Sequence, residues 1–398
     1  MRQQLEGSQA VARTVARCRP EVVCAYPISP QTHIVEGLSE LVASGALTPC
    51  EFVNVESEFA AMSVAIGASA AGARAYTATA SQGLLFMAEA LWNASGLGLP
   101  ITMTVANRAI GAPINIWNDH SDAMSLRDCG WIQLYARDNQ EAADLHILGF
   151  RLAEQLSIPV MVCMDGFVLT HAFEEVDVAE QGLVDAYLPP FRPRQVLDPA
   201  APVTIGAMVG PEAFTEVRYL AHENHLRALE AIPRLAEEFA AVFGRACAGL
   251  ISPYRSADAE LVVVALGSVL GTVAEVIDDL RDNGVRVGAL GITTFRPFPA
   301  AAVRDALRDG QRVVALERAF SPGGGGIVTQ DLRAALSDRD CPISTVVAGL
   351  GGRAVTRPSL RRMLVEATAG SLQPLAFLDL DRELLGRVSG GRVSGGAA

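Results

Sequence analysis

Hydrophobic and polar positions along this chain alternate between two periods. Short apolar runs with β-branched or aromatic character recur at residues 21–25, 52–55, 74–79, 101–106 and 160–164. Between them lie stretches with helical spacing at 7–17, 31–43, 59–73, 84–95 and 140–155. Strand and helix alternating with short connections predict an α/β domain, a parallel sheet with helices on both faces. The run 59–73 stands apart. It is built from Ala, Gly, Ser and other uncharged residues, so it is expected to pack in a crowded interior or a subunit interface.

The pattern weakens after Phe173. Pro189, Pro190, Pro193, Pro199, Pro202 and Pro211 predict a linker or wrapping arm over roughly 180–213, and residues 213–248 read as one long helix. A second α/β unit follows, with strands at 261–266, 287–292, 312–317 and 344–348 and helices at 272–283, 300–309 and 330–337. The expected organisation is a first domain over 1–180, the linker and long helix over 181–257, a second domain over 258–372 and a tail over 373–398. The glycines at 323–326 precede a helix but lack the lysine and spacing of a phosphate loop, so they read as structural. The repeat Gly-Arg-Val-Ser-Gly-Gly within 386–396 cannot build a core and reads as a flexible end.

Composition narrows the function classes. With 398 residues, 50% hydrophobic and 19% charged, the chain can fill two or three globular cores. A net charge of -12 argues against a nucleic-acid or anionic-membrane surface. Residues 1–6 are polar and no segment reaches the roughly 18 uninterrupted apolar residues of a membrane helix, so a soluble cytoplasmic protein is expected. The seven cysteines are scattered without any Cys-x-x-Cys, which offers no ligand set for an iron-sulfur cluster or a structural zinc; no metal ligand is expected in this chain.

In a parallel sheet the carboxyl ends of the strands share one edge, and ligands bind outside it. That edge would carry Tyr26-Pro27-Ile28-Ser29-Pro30, Glu56-Ser57-Glu58, Thr79-Ala80-Ser81-Gln82-Gly83, Asn107-Arg108-Ala109-Ile110-Gly111 and Asp165-Gly166-Phe167. Each stretch has an ordinary reading. Glu58, with Ser57, could cap the following helix, and Arg108 could form an ion pair with Asp119 or Asp122. Together they gather a carboxylate, a guanidinium and several hydroxyl and amide groups on one side.

These motifs, with Gln31-Thr32, Trp117-Asn118-Asp119-His120-Ser121-Asp122 and Val168-Leu169-Thr170-His171, resemble the alpha subunit of the pyruvate:ferredoxin oxidoreductase family over about residues 7–352. Leu261 to Leu266 with Gly267-Ser268, and Phe295-Arg296-Pro297-Phe298, resemble that family's second domain. The resemblance implies a thiamine diphosphate pyrimidine-binding domain followed by a transketolase C-terminal-like domain. It implies oxidative decarboxylation of a pyruvate-type 2-oxoacid to acyl-CoA and CO2.

By the family motif Glu58, not Glu56, is the glutamate that drives the cofactor's imino tautomer, Tyr26, Pro27, Ile28, Ser81 and Gln82 contact the cofactor, and Arg108 and Ser29 meet the substrate carboxylate. Ser29 stands where the family usually has threonine, which enlarges the pocket slightly. The Gly-Asp-Gly motif and later asparagine that hold diphosphate and magnesium in the family are missing, since Met164-Asp165-Gly166 lacks the first glycine. The resemblance therefore implies half an active site, completed by a diphosphate-binding beta subunit with its Mg2+, with a gamma subunit and a ferredoxin-like iron-sulfur subunit as further partners. Open alternatives are a branched or aromatic 2-oxoacid such as phenylglyoxylate with NAD as acceptor, 2-oxoglutarate, or a non-catalytic assembly subunit.

Overall fold

The computed structural model describes residues 2–388, so the repeat from 389 onward lies outside the described residues. In chain order the helices are α1 (Gly7–Arg17), α2 (Thr32–Ala43), α3 (Glu58–Ala70), α4 (Ser81–Phe86), α5 (Ala88–Gly96), α6 (Ser121–Ser125), α7 (Asn139–Leu156), α8 (Gln181–Tyr187), α9 (Phe214–Phe243), α10 (Val269–Asp282), α11 (Ala300–Ala306), α12 (Ile327–Ala335), α13 (Arg357–Thr368) and α14 (Arg382–Val388). The strands form three sheets. A short antiparallel pair joins β1 (Arg2–Glu6) to β8 (Phe173–Asp177).

The first large sheet is built from β2 (Val22–Ala25), β3 (Glu51–Asn54), β4 (Ala75–Thr79), β5 (Thr102–Asn107), β6 (Ile132–Tyr135), β7 (Val160–Asp165) and β12 (Thr294–Arg296). Their spatial order is β12-β6-β7-β5-β4-β2-β3, parallel except where β12 pairs with β6. The interior strands β4, β5 and β7 are buried at every position, as strands covered on both faces must be. The second sheet orders β15 (Leu375–Phe377), β14 (Ile343–Val347), β13 (Arg312–Glu317), β10 (Leu261–Ala265), β11 (Val287–Ile292) and β9 (Ile251–Tyr254), with only β9 antiparallel.

One face of the first sheet packs under α1, α2, α7, α8 and α9. Its other face shares a continuous core with the second unit, running from Met62, Leu84 and Met103 through Tyr135 to Leu290, Phe295 and Val303. The two α/β units are therefore locked together, with β12 of the second completing the sheet of the first.

Several expectations need correction. The helix expected over 84–95 is two helices, α4 and α5, meeting at Met87. The arm after Phe173 is not structureless, because α8 forms before Pro189. The long helix runs from Phe214 to Phe243 and contains Pro233. Of the two settings expected for α3, the crowded interior holds for one side only: Phe59, Ser63 and Gly67 lie on a stripe exposed in the single chain, which leaves the subunit interface for that face. The glycines at 323–326 have a structural cause. A Cβ at Gly326 would lie 2.4 Å from Oε1 of Glu317, whose buried carboxylate accepts from the backbone N–H of Val328 and Thr329 and so caps α12 itself.

Candidate active site

The helix start at Ser57 separates capping from chemistry. The Ser57 hydroxyl accepts the N–H of Ala60 at 3.2 Å and is the cap of α3. Glu58 is thereby released from that duty. It is 8% exposed, and its carboxylate has no hydrogen-bond donor among the described residues. It lies against Gly83 and Thr79: a Cβ on Gly83 would stand 2.6 Å from both Glu58 Oε1 and Thr79 Oγ1. Thr79 Oγ1 is itself buried without a partner, as is Asn107 Oδ1 on the neighbouring strand. Unsatisfied buried polar atoms are uncommon in folded proteins, and here two of them stand on adjoining strands of the same edge.

Arg108 follows β5. It is 7% exposed, and no carboxylate lies within ion-pairing distance of its guanidinium among the described residues. Nη1 donates to the carbonyl of Ser29 at 2.9 Å and Nε to the carbonyl of Asn115 at 3.2 Å. Burial pushes its pKa down, with Asp122 opposing. Asp122 does not pair with the side chain; its Oδ2 accepts the backbone N–H of Arg108 at 2.9 Å. Asp119 is engaged by Ser121 and by the N–H of Gly351. The ion-pair reading of Arg108 is therefore overturned.

Asp122 is the residue that sequence reasoning undervalued. Fully buried, it accepts from Ser81 N and Arg108 N at Oδ2, and from Asn107 Nδ2 and Ala123 N at Oδ1, all within 2.8–2.9 Å. Burial raises its pKa against those four donors. It staples the ends of β4 and β5 to α6 and thereby sets the positions of Ser81 and Arg108. Ser81 has φ 50, and its hydroxyl donates to Ala109 O at 2.5 Å, with Gln82 Oε1 alongside. Gln82 packs close to Gly111, where a Cβ would lie 2.5 Å from its Nε2.

The double-proline loop is fixed by Gln31, which follows it directly. Its Nε2 donates to Tyr26 O at 3.1 Å and Ala78 O at 2.7 Å, tying the loop to β4. Tyr26, Pro27 and Ser29 are exposed on the rim, while Ile28 is half-buried. Ser29 meets Arg108 through its carbonyl, and its hydroxyl is free to solvent. The chain of contacts Glu58–Gly83–Ser81–Asp122–Arg108–Ser29 thus gathers the expected polar residues on one sheet edge.

Asp165 behaves differently. Its carboxylate meets His120 Nε2 at 2.7 Å, Arg318 Nη1 at 2.7 Å, and the N–H and hydroxyl of Ser268. Burial alone would push it up, but the Arg318 guanidinium and His120 outweigh that and hold it well below the usual carboxylate range. Asp165 is a bolt between the two units, fully used by the protein. A cleft of about 740 Å³ between α9 and the residues around Trp131 opens at the amino ends of the strands, near Pro100 and Ile158, opposite the candidate site.

Residues 13–237 match the family described as pyruvate flavodoxin/ferredoxin oxidoreductase, thiamine diphosphate-binding, and residues 259–360 match the pyruvate:ferredoxin oxidoreductase core domain II. The chain belongs to this family. It is an oxidoreductase subunit of the 2-oxoacid class with a thiamine diphosphate-binding domain. A pyruvate synthase subunit PorA of Methanosarcina barkeri is 47% identical over 390 residues, covering 96% of this chain and 97% of the relative. A ketoisovalerate oxidoreductase subunit VorA of Pyrococcus abyssi is 39% identical, covering 88% and 90%. A solved 2-oxoglutarate:ferredoxin oxidoreductase from Magnetococcus marinus, with 2-oxoglutarate, coenzyme A and succinyl-CoA bound, shares the fold at TM-score 0.73 and 20% identity. It covers 92% of this chain, which spans 65% of that one.

The family's cofactor suits the residues present. A carboxylate without a hydrogen-bond donor, a neighbouring glycine that leaves room for it, and the orphaned Thr79 hydroxyl and Asn107 amide oxygens offer acceptors that an aminopyrimidine could meet.

Proposed function

We propose that this chain is the alpha subunit of a pyruvate-type 2-oxoacid oxidoreductase that oxidises its substrate to acyl-CoA and CO2. Electrons pass to iron-sulfur clusters in partner subunits. The observation that carries the reading is the pair of unmatched buried charges at one sheet edge, Glu58 without a donor and Arg108 without an acid. Thiamine diphosphate, when bound, supplies the nucleophilic carbon and the electron sink. Glu58 would share a proton with its aminopyrimidine nitrogen. A carboxylate does this best where water is excluded, and the apolar packing beside α3 provides that setting. Arg108 presents a guanidinium held by two carbonyls, so its remaining N–H groups are directed toward a substrate carboxylate, with the Ser29 hydroxyl beside it. Tyr26, Pro27 and Ile28 form one lip, and Ser81 and Gln82 the floor.

The partners follow from what the edge lacks. Asp165 is consumed by Arg318, His120 and Ser268, so magnesium and diphosphate belong to a beta subunit in this reading. Phe59, Phe86, Ile114, Ile116 and Trp117 are exposed around the site and provide an apolar rim for that subunit to cover. A gamma subunit and a ferredoxin-like subunit would carry coenzyme A chemistry and electrons. The seven thiols are free and separate; burial pushes Cys24 up to about 11 and Cys129 up to about 12, which suits packing rather than cluster ligation. We assign the first domain to 1–180 and the second to 258–372, the latter's sheet extended by β9 from the expected linker and β15 from the expected tail, and place the protein in the cytoplasm. Among the described residues, no helix is long and apolar enough to cross a membrane.

The test is proton exchange at the thiazolium carbon in the assembled complex, followed by NMR. Glu58→Gln is expected to leave the complex assembled and slow exchange by about 10²–10⁴-fold. Near-normal exchange in a folded Glu58→Gln complex refutes the assignment. Carbon dioxide release from a panel of 2-oxoacids then separates pyruvate from branched and aromatic substrates.

A further inference from the structure

We propose that Glu6, His33 and His171 form a binding site for a divalent transition-metal ion of the zinc class. Each can offer one ligand atom, and the three atoms lie within 4.8 Å of one another. They come from three separate places in the chain: Glu6 ends β1, His33 is in the first turn of α2, and His171 lies in the turn between β7 and β8. No sequence spacing brings them together, which is why a search for clustered ligands along the chain passes over them.

The supporting structure holds two of the three in register. Gly7 N–H donates to Ala172 O at 3.0 Å, and Ser8 bonds Thr170 O through both its N–H at 2.9 Å and its hydroxyl at 2.8 Å. Glu6 and His171 are thereby clamped as chain neighbours of these bonds. His171 Nδ1 lies 2.7 Å from Thr170 Oγ1, which is itself fixed by the N–H of Phe167 at 2.8 Å. An Nδ1–H donated to that hydroxyl leaves the lone pair on Nε2, the arrangement by which metal-bound histidines are usually oriented. The His171 ring is sandwiched between Phe167, at 4.8 Å, and His33, at 4.7 Å.

His33 Nδ1 meets Glu6 Oε1 at 2.6 Å, and no arginine pairs with Glu6 among the described residues. All three residues are half-buried, so an ion from solvent can reach them and a water can complete its coordination. Two imidazoles and one carboxylate form a mixed nitrogen and oxygen set suited to Zn2+, Co2+ or Ni2+ and poor for Ca2+ or Mg2+. With zinc–ligand bonds of about 2.0–2.1 Å the ligand atoms stand roughly 3.3 Å apart, so the His33–Glu6 hydrogen bond gives way to the ion while the more distant ligand atoms draw in by on the order of 1 Å, shifts within reach of the partly exposed His33 ring. The site joins the amino-terminal strand to the start of α2, directly behind the loop that carries Ser29.

The experiment titrates Co2+ into the full chain and into the assembled complex and reads the visible spectrum. One equivalent giving nitrogen- and oxygen-ligand bands without thiolate charge transfer is expected, displaced by Zn2+. His33→Gln and His171→Gln, checked by far-UV circular dichroism and melting, should each abolish the bands. Because a variant can lose its fold, wild-type protein is also modified with diethyl pyrocarbonate, and mass spectrometry reads whether Zn2+ protects His33 and His171. Bands that survive in the double variant place the ion elsewhere, for instance at His222 and His225, and overturn the proposal. So does the absence of protection at saturating Zn2+.

Discussion

Arg108→Lys keeps the charge at the sheet edge and removes the fork. In the wild type the guanidinium spends Nη1 on Ser29 O at 2.9 Å and Nε on Asn115 O at 3.2 Å, with its other donors available for a substrate carboxylate. A lysine ammonium can meet one of those carbonyls or the substrate, but it cannot hold both loops and present two parallel donors. Losing one limb of a charge-assisted pair together with the preset orientation amounts to about 2–4 kcal/mol in the transition state, or roughly 30- to 1000-fold in kcat/KM. Stability should move little. Arg108 has no acid partner to strand, and a lysine ammonium can still meet one of the two carbonyls, so the stability cost is about one hydrogen bond, on the order of 1 kcal/mol. Arg108→Met sharpens the contrast, with an unchanged or higher melting temperature and a greater loss of activity. Steady-state kinetics on 2-oxoacids and a thermal melt on the same purified complexes provide both readings. A lysine variant with near-normal kcat/KM and a clearly lowered melting temperature would show that Arg108 is a structural clamp and refute carboxylate binding.

In Gly83→Ala the helix preference of alanine, about 1 kcal/mol, is opposed by a Cβ that must push aside both the Glu58 carboxylate and the Thr79 hydroxyl; in complexes shown to be folded by circular dichroism, thiazolium proton exchange should fall as it does in Glu58→Gln, and unaltered exchange would separate Glu58 from that step. Asp165→Asn should destabilise the chain by about 3–5 kcal/mol, measured by urea unfolding, because Arg318 is left buried without its acid. The folded carboxyl sits below its unfolded value near 3.9, so the stabilisation is full above about pH 5 and fades as acidification protonates the unfolded state; the wild-type advantage over the variant should therefore shrink below about pH 4, and an advantage independent of pH would refute the ion-pair account.

Five of the seven strands in the first sheet were legible because each is a run of β-branched or aromatic residues bounded by turn chemistry, and four of the five parallel strands of the second sheet were legible for the same reason, the short β15 being missed. β6 was not. Ile132–Tyr135 is four residues long and becomes a strand only because β7 and β12 flank it, the latter arriving from residue 294. The site divides in the same way. Glu58, Arg108 and the serine loop stand out as polar residues at the ends of apolar strands. Asp122 looks like any acid in a polar loop until the fold brings it to Ser81, 41 residues away, and Asp165 looks like a turn residue until Arg318, 153 residues away, reaches it. Residues that bind a ligand keep a local signature, whereas residues that bind other parts of the chain acquire theirs from tertiary structure.

The way this protein treats its other buried charges argues that Glu58 and Arg108 are kept for a guest. Arg74 is satisfied by Glu154 and Arg318 by Asp165. Asp144 has Arg245, Asp122 has four N–H donors, Glu317 caps a helix, Glu141 accepts the N–H of Arg137, and Asp119 holds Ser121 and Gly351. A buried charge without such compensation is costly, and a fold under selection only for stability would neutralise the acid and the guanidinium or let them pair. Here the Asp122 staple fixes Arg108 by its backbone, and Ser57 takes over the capping that would otherwise draw Glu58 back to its helix. Both charges are thus withheld from internal partners by specific residues. In the function proposed above, the acid would meet the aminopyrimidine and the guanidinium's remaining donors the 2-oxoacid carboxylate, so that each would gain its ionic partner only when the ligand binds.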